Sequence, residues 1–226
     1  MSPQRHFQEE LDQLKSRLVA MAGQVEEAVR LAVEALLERD RAKAQRVIEM
    51  DEEINERELE LDEAAIQLLA LQQPMARDLR LITTALSITT DLERIGDHAV
   101  NIAEAVEYML GTAPLPPLPE MEEMVRVANR MLGDALDAFV RGDAVLARDV
   151  LRRDDRVDEL HQNVFRILLT HMMEDPRRIS TGMDLYIVSG NLERIADLAT
   201  NIAEEVVYLV EGRTIKHHAE ARRAAE

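Results

Sequence analysis

The sequence predicts an all-α chain: two tandem, pseudo-symmetric three-helix bundles of long antiparallel helices. Three observations carry that expectation. Of the 226 residues 46% are hydrophobic but only 3% aromatic, with no Trp, so the apolar surface is aliphatic and suits helix seams better than sheets. Residues 91–108, DLERIGDHAVNIAEAVEY, match residues 191–208, NLERIADLATNIAEEVVY, at 12 of 18 positions, which marks an internal duplication. Apolar residues also recur at spacings of three and four in both halves, the period of a buried helical stripe.

The elements follow in order. Leu11, Leu14, Leu18, Met21, Val25, Ala28 and Ala32 form the stripe of a long first helix. Met121, Met124, Ala128, Met131, Ala135 and Ala138 repeat it in the second half. Arg39-Asp40 and Gly142-Asp143 interrupt the pattern after the opening helices, and Pro74 and Pro176 after the second ones, because proline lacks the N–H that a helix interior requires. Each half therefore reads as three helices. Between the halves GTAPLPPLP, residues 111–119, holds four prolines and one glycine, a stiff, partly extended connection. The expected division is a first bundle over 1–112, a linker over 113–119, a second bundle over 120–212 and a flexible tail over 213–226. Short connections between long helices favour antiparallel neighbours.

Charge and composition exclude several functions. A net charge of -17 opposes nucleic-acid phosphates, which basic faces recognise. The tail residues Arg213, Lys216, Arg222 and Arg223 are locally basic and read as a solvated end. The absence of Cys removes disulfides, thiolate metal sites and Cys nucleophiles, and fits a reducing compartment. No run approaches the roughly 20 apolar residues of a membrane span, and the N-terminus lacks the apolar core of a secretory signal. A cytosolic protein is expected. There is no GxxxxGK phosphate loop, and Ser and His are too few and dispersed to suggest a nucleophile triad. His6, His171, His217 and His218 read as surface or terminal residues.

The informative residues are those that interrupt the apolar stripes. On the second helix the seam through Val47, Ile54, Leu61, Ala65 and Leu68 also passes Asp51 and Glu58; its counterpart through Val150, Val157, Val164 and Leu168 passes Asp154 and His161. On the third helix Glu93, Asp97, Asn101 and Glu104 fall within about 80° of helical arc, and Glu193, Asp197, Asn201 and Glu204 repeat the arrangement. Carboxylates one turn apart repel each other and lose hydration when partly buried. Arg94 and Arg194 could neutralise them in a salt-bridge network. Metal ions could do so instead, since Asp, Glu, Asn and an occasional His are hard ligands suited to iron, manganese, magnesium or zinc.

The duplicated LERIxDxxxNIAE stretch, the opening FQEELDQLKSRLVAMAGQVEEAV and the QQPMARDLRLI turn together resemble the PhoU family over nearly the whole chain. The resemblance implies a cytosolic accessory protein of the phosphate-specific transport system, peripheral at the inner membrane through its partners. Such a protein is a negative regulator of the phosphate-starvation response and not an enzyme. The implied partners are a phosphate-sensing histidine kinase, the ATPase subunit of the phosphate-specific ABC transporter, and a second copy in a homodimer. It also implies bound metal, iron or zinc first and magnesium or manganese as alternatives. The implied ligands are Glu93, Asp97 and Asn101 with Asp51 and Asn55, and Glu193, Asp197 and Asn201 with Asp154 and Asp158. Asn55 stands where the family has an acid, and Leu198 stands opposite His98 in the repeat, so the two sites are expected to differ.

Other classes remain beside this one. A di-iron carboxylate oxidase would build its site in a helical bundle, but its Glu-x-x-His pairs are missing here. A hydrolase using metal-activated water and a metal-free helical scaffold share the same ligand types. Bound metal separates the scaffold from the rest.

Overall fold

A computed structural model of the chain describes residues 3–72 and 74–215, with side chains from His6 onward. Lys216, His217, His218, Arg222 and Arg223 of the expected tail lie outside the described residues. Helix α1 runs Pro3–Glu38, α2 Arg41–Gln72 and α3 Arg77–Met109; α4 runs Pro119–Arg141, α5 Ala144–Leu151, α6 Asp154–Glu174 and α7 Ile179–Glu211, with a 3-10 turn at Pro176–Arg178. No strand occurs among the described residues.

Periodicity explains which faces are inside. Leu11, Leu18, Met21 and Val25 on α1, Val47, Ile54 and Leu61 on α2, and Met124, Ala128 and Met131 on α4 are all buried in one continuous core. Removing most of a fully buried side chain such as Leu18 would cost about 2–5 kcal/mol through lost transfer energy and the cavity left behind. His6 is mostly exposed, whereas His171 is partly buried, with Nδ1 3.4 Å from an Arg178 guanidinium nitrogen.

The two turns after the opening helices use the same device. Asp40 Oδ1 accepts from the backbone N–H of Ala42 at 2.8 Å and of Lys43 at 3.2 Å; Asp143 Oδ1 accepts from Val145 and Leu146 at 2.9 and 3.0 Å. Each carboxylate thereby caps the orphan donors of the next helix. The residue before each cap is left-handed, with φ 63° at Gly142 and φ 54° at Arg39. Glycine takes this conformation freely, while a side chain costs roughly 1–2 kcal/mol. Arg39 offsets that cost because its guanidinium donates to the carbonyls of Met109 and Thr112 at the end of α3. Pro119 opens α4 at its first position, where its missing N–H has no consequence.

The middle helix of the second half is not continuous. It is interrupted at Arg152-Arg153, dividing the expected single element into α5 and α6. No Pro or Gly marks the spot. Arg153 donates to Asp149 on α5 and to Asp134 on α4, while its own N–H bonds Val150 O. The following Asp154 and Asp155 sit in the first turn of α6, where the helix dipole favours negative charge.

The halves meet along α3 and α7. Thr84 donates to Glu205 Oε2 at 3.3 Å and His98 Nδ1 lies 2.9 Å from Asn191 Oδ1. As α3 advances from Thr84 to His98, its partners on α7 run backwards from Glu205 to Asn191, so the two helices are antiparallel. The acidic faces of both repeats are therefore presented on either side of one central pair.

Candidate metal centres

In the first half, α2 and α3 lie side by side and set Asp51, Asn55 and Glu58 along Glu93 and Asp97. Asp51 Oδ2 accepts from the Asn55 amide at 3.0 Å, leaving Asp51 Oδ1 and Asn55 Oδ1 buried without a hydrogen-bond partner. Asp62 Oδ1, farther along α2, is also buried and unpartnered. Burial pushes the carboxyl of Asp51 up, and the Asp97 charge adds to it. Glu58 is raised by burial, then by Asp62 and Asp97. Glu93 is raised by burial, then by Asp97, Glu58 and Asp51, against a small opposing effect of Arg94. Each of these acids thus feels the others more than any cation.

The second half repeats the arrangement between α6 and α7. Asp154 is pushed up to about 6 by burial first and then by Asp197, Asp158, Asp155 and Glu193. Asp197 is raised chiefly by burial and by Asp158; Arg194, which donates to it at 3.1 Å, and His98 pull the other way. Arg194 is therefore a partial counter-charge here, while Arg94 in the first half points to Asp91 at 4.0 Å instead. The salt-bridge alternative is met only in fragments.

The carboxylates are neighbours without being closed into a coordination sphere. Among the described residues no three Asp, Glu or His side chains are placed to ligate one ion as they stand. The donor set nevertheless suits a hard cation: partly buried carboxylates, unpartnered amide and carboxylate oxygens, and mutual repulsion that a positive charge would relieve.

The remaining motif residues divide. Asn101 is exposed and its amide donates to Asn191 Oδ1 on α7 at 3.3 Å, away from the acids of its own half. Asn201 is half-buried one turn beyond Asp197, with no hydrogen bond among the described residues. His161, level with Glu58 in the repeat, instead stacks on Tyr186 at 5.4 Å and reaches Ser189 Oγ at 3.1 Å. Glu58, Asp62 and Asp155 join the acidic groups although the LERI motif does not contain them. Glu58 lies two turns from Asp51 on the same seam and Asp62 one turn further on, whereas Asp155, next to Asp154, had no periodic signal.

The family model of the PhoU domain matches twice, over residues 18–106 and 121–206. The chain belongs to the PhoU family. A phosphate-specific transport system accessory protein PhoU homolog of Pseudomonas putida is 42% identical over 98% of this chain and 87% of its own length. The phosphate-specific transport system accessory protein PhoU of Escherichia coli is 36% identical, covering 93% and 88%. The crystal structure of PhoU from Pseudomonas aeruginosa superposes with a TM-score of 0.88 at 42% identity, covering 92% of this chain and 100% of that one. That of the phosphate transport system regulatory protein PhoU from Streptococcus pneumoniae gives 0.85 at 30%, covering 93% and 99%. Both PhoU matches span the acidic pairs, Asp51 with Asp97 and Asp154 with Asp197. No helix among the described residues is long and apolar enough to cross a membrane.

Proposed function

We propose that this PhoU-family chain regulates phosphate-specific transport and signalling by binding partners, without catalysing a reaction. The observation that carries this is the match of both repeats, over nearly all the chain, to accessory and regulatory proteins of phosphate transport. The reading includes repression of the phosphate-starvation response through a phosphate-sensing histidine kinase and the transporter's ATPase subunit, in the cytoplasm, as a homodimer. In a strain lacking this protein, phosphate-responsive genes are expected to be expressed even in phosphate-rich medium. Unchanged repression would defeat the regulatory reading.

Metal at the acidic pairs is part of the proposal. Asp51, Asn55, Glu93 and Asp97 would hold it in the first half, and Asp154, Asp158, Glu193 and Asp197 in the second, with Asn101 and Asn201 at the margins. Iron or zinc, or else magnesium or manganese, would supply positive charge that cross-links α2 to α3 and α6 to α7. The chain's own contribution is to hold carboxylates half-buried on adjacent helices, where the effective dielectric is below that of water and their repulsion is costly. Metal analysis of protein purified without chelator tests this. Bound metal supports it; a coloured, oxidisable iron pair would point to an oxidase, and metal-free protein to a scaffold.

A further inference from the structure

A cleft of about 760 Å³ opens where α1, the start of α3 and the C-terminal ends of α4 and α7 come together. It carries a cation surplus in a chain of net charge -17. Lys15, Arg77, Arg80 and Arg141 line it against two carboxylates, Asp12 and Asp78. Arg141 is committed to Asp137 at 2.8 Å, and Asp12 accepts from the Gln8 amide at 3.2 Å. Lys15, Arg77 and Arg80 make no ion pair among the described residues. Other clefts are balanced differently: one between α1 and α2 sets Arg17 beside Glu10, and one between α1 and α4 sets Arg30 beside Glu26 and Glu27.

Two further observations point to a ligand. Arg80 Nε is buried without any hydrogen-bond partner, and the guanidinium is braced against the end of α7, where a Cβ built on Gly212 would lie 3.4 Å from Nη1. A buried donor left unmade costs about 1–3 kcal/mol; Nε itself is closed to solvent, so Arg80 would meet an anion through its other guanidinium nitrogens. Arg77 and Arg80 also occupy the first turn of α3, whose cap residue Ala76 provides no side-chain acceptor. The partial positive charge of that helix end is added to the side-chain cations, offset in part by Asp78 in the same turn. Phe139, Leu209 and Val210 supply an apolar wall opposite.

We propose that this cleft binds a phosphate-class oxyanion through Lys15, Arg77 and Arg80. Guanidinium forks match the oxygen geometry of phosphate, and the ammonium of Lys15 adds a point charge. Two sources supply that chemistry, free orthophosphate and the phosphoryl group of an ester such as a nucleoside monophosphate. The volume lies within the range of small-molecule sites, about 300–1,000 Å³, and accommodates either. The site uses none of the acidic residues assigned to metal, so it stands or falls separately from them.

The test is calorimetric titration of the full chain after chelator treatment, so that anion held on metal is not counted, with ionic strength fixed by chloride. Orthophosphate, AMP and adenosine are the probes. Saturable one-to-one binding of orthophosphate supports the free-anion source. Binding of AMP without binding of orthophosphate or adenosine supports the ester source. Lys15→Gln with Arg77→Gln, both exposed positions, should weaken binding at least about tenfold while leaving the melting curve and metal content unchanged. Arg80→Gln should weaken it as well. No saturable heat with either phosphate probe, adenosine binding as well as AMP, or affinity unchanged in the double variant overturns the proposal.

Discussion

Asp51 and Asn55 stand one turn apart on α2 and share a 3.0 Å hydrogen bond, which spends the Asn55 amide nitrogen on Asp51 and leaves one oxygen of each side chain buried and unmatched. The second repeat has Asp158 at the place of Asn55, and there burial and the neighbouring carboxylates, Asp158 among them, push Asp154 up to about 6. Asn55→Asp should therefore make the first half resemble the second. The metal-free variant should lose about 0.2–0.5 kcal/mol through like charge one turn apart, and the first half should bind metal more tightly. Chemical denaturation with and without chelator measures both effects; a stabilised metal-free variant would contradict the repulsion argument.

Removal of metal should lower stability. A ligand that binds only the native state adds about 2.7 kcal/mol at a hundredfold excess over its Kd, and a chain of this size shifts by about 2–4 °C per kcal/mol. Chelation should thus lower Tm by about 5–10 °C at neutral pH. Asp97→Asn with Glu93→Gln should abolish metal at the first half yet leave the metal-free bundle at least as stable as wild type. Retention of the full metal complement by this variant, or a Tm indifferent to chelator, would return the acidic faces to a plain scaffold.

Stability of the metal-free chain should fall as pH rises from about 4 to 6. The Asp154 carboxyl moves from 3.8 to about 6 on folding, so the native state holds a proton that the unfolded chain has already released. A raised carboxyl contributes nothing unfavourable below the unfolded value, and its cost accrues up to the folded one. The full shift corresponds to about 3 kcal/mol, which partial exposure and screening reduce to about 1 kcal/mol. Asp154→Asn should flatten that part of the pH profile. With metal present the slope should reverse, because ligands bind deprotonated.

Two glycines should respond in opposite directions to alanine. Gly142→Ala forces a left-handed residue at φ 63° and should cost about 1 kcal/mol, although a Cβ there would meet only Val210 at 3.8 Å. Gly96→Ala removes backbone freedom inside α3 and should gain about 0.5–1 kcal/mol. The added methyl would touch Ile54 at an ordinary 3.4 Å, and Ala196 already fills the equivalent place in the repeat. Equal and same-signed changes in denaturant midpoint would contradict this account.

The architecture was legible because its causes are local or repetitive. The stripes from Leu11 to Ala32 and from Met121 to Ala138 are buried throughout, and the Asp40 and Asp143 caps coincide with the breaks in periodicity. The interruption at Arg152-Arg153 was not legible, since it depends on Arg153 reaching Asp134 on another helix. The same division holds at the acidic faces. One-turn spacing places Asp51, Glu93 and Asp97 on adjoining faces, but only tertiary packing shows His161 turned to Tyr186 and Asn101 turned to Asn191. Asn101 is turned by a residue of the other repeat, and His161 by a residue on the next helix of its own.

The contact of Thr84 with Glu205 has a consequence for assembly specificity. Shifted by the repeat, Thr84 corresponds to Asp184 and Glu205 to Ala105. A first half docking on its own copy would set Thr84 against Ala105, forfeiting the hydrogen bond. A second half docking on its own copy would set Asp184 against Glu205, two acids at a buried position, and burial already raises the Asp184 carboxyl. Only the mixed pairing matches a hydroxyl donor to a carboxylate. At this contact the duplicated units have diverged so that the mixed pairing is favoured over either self-pairing.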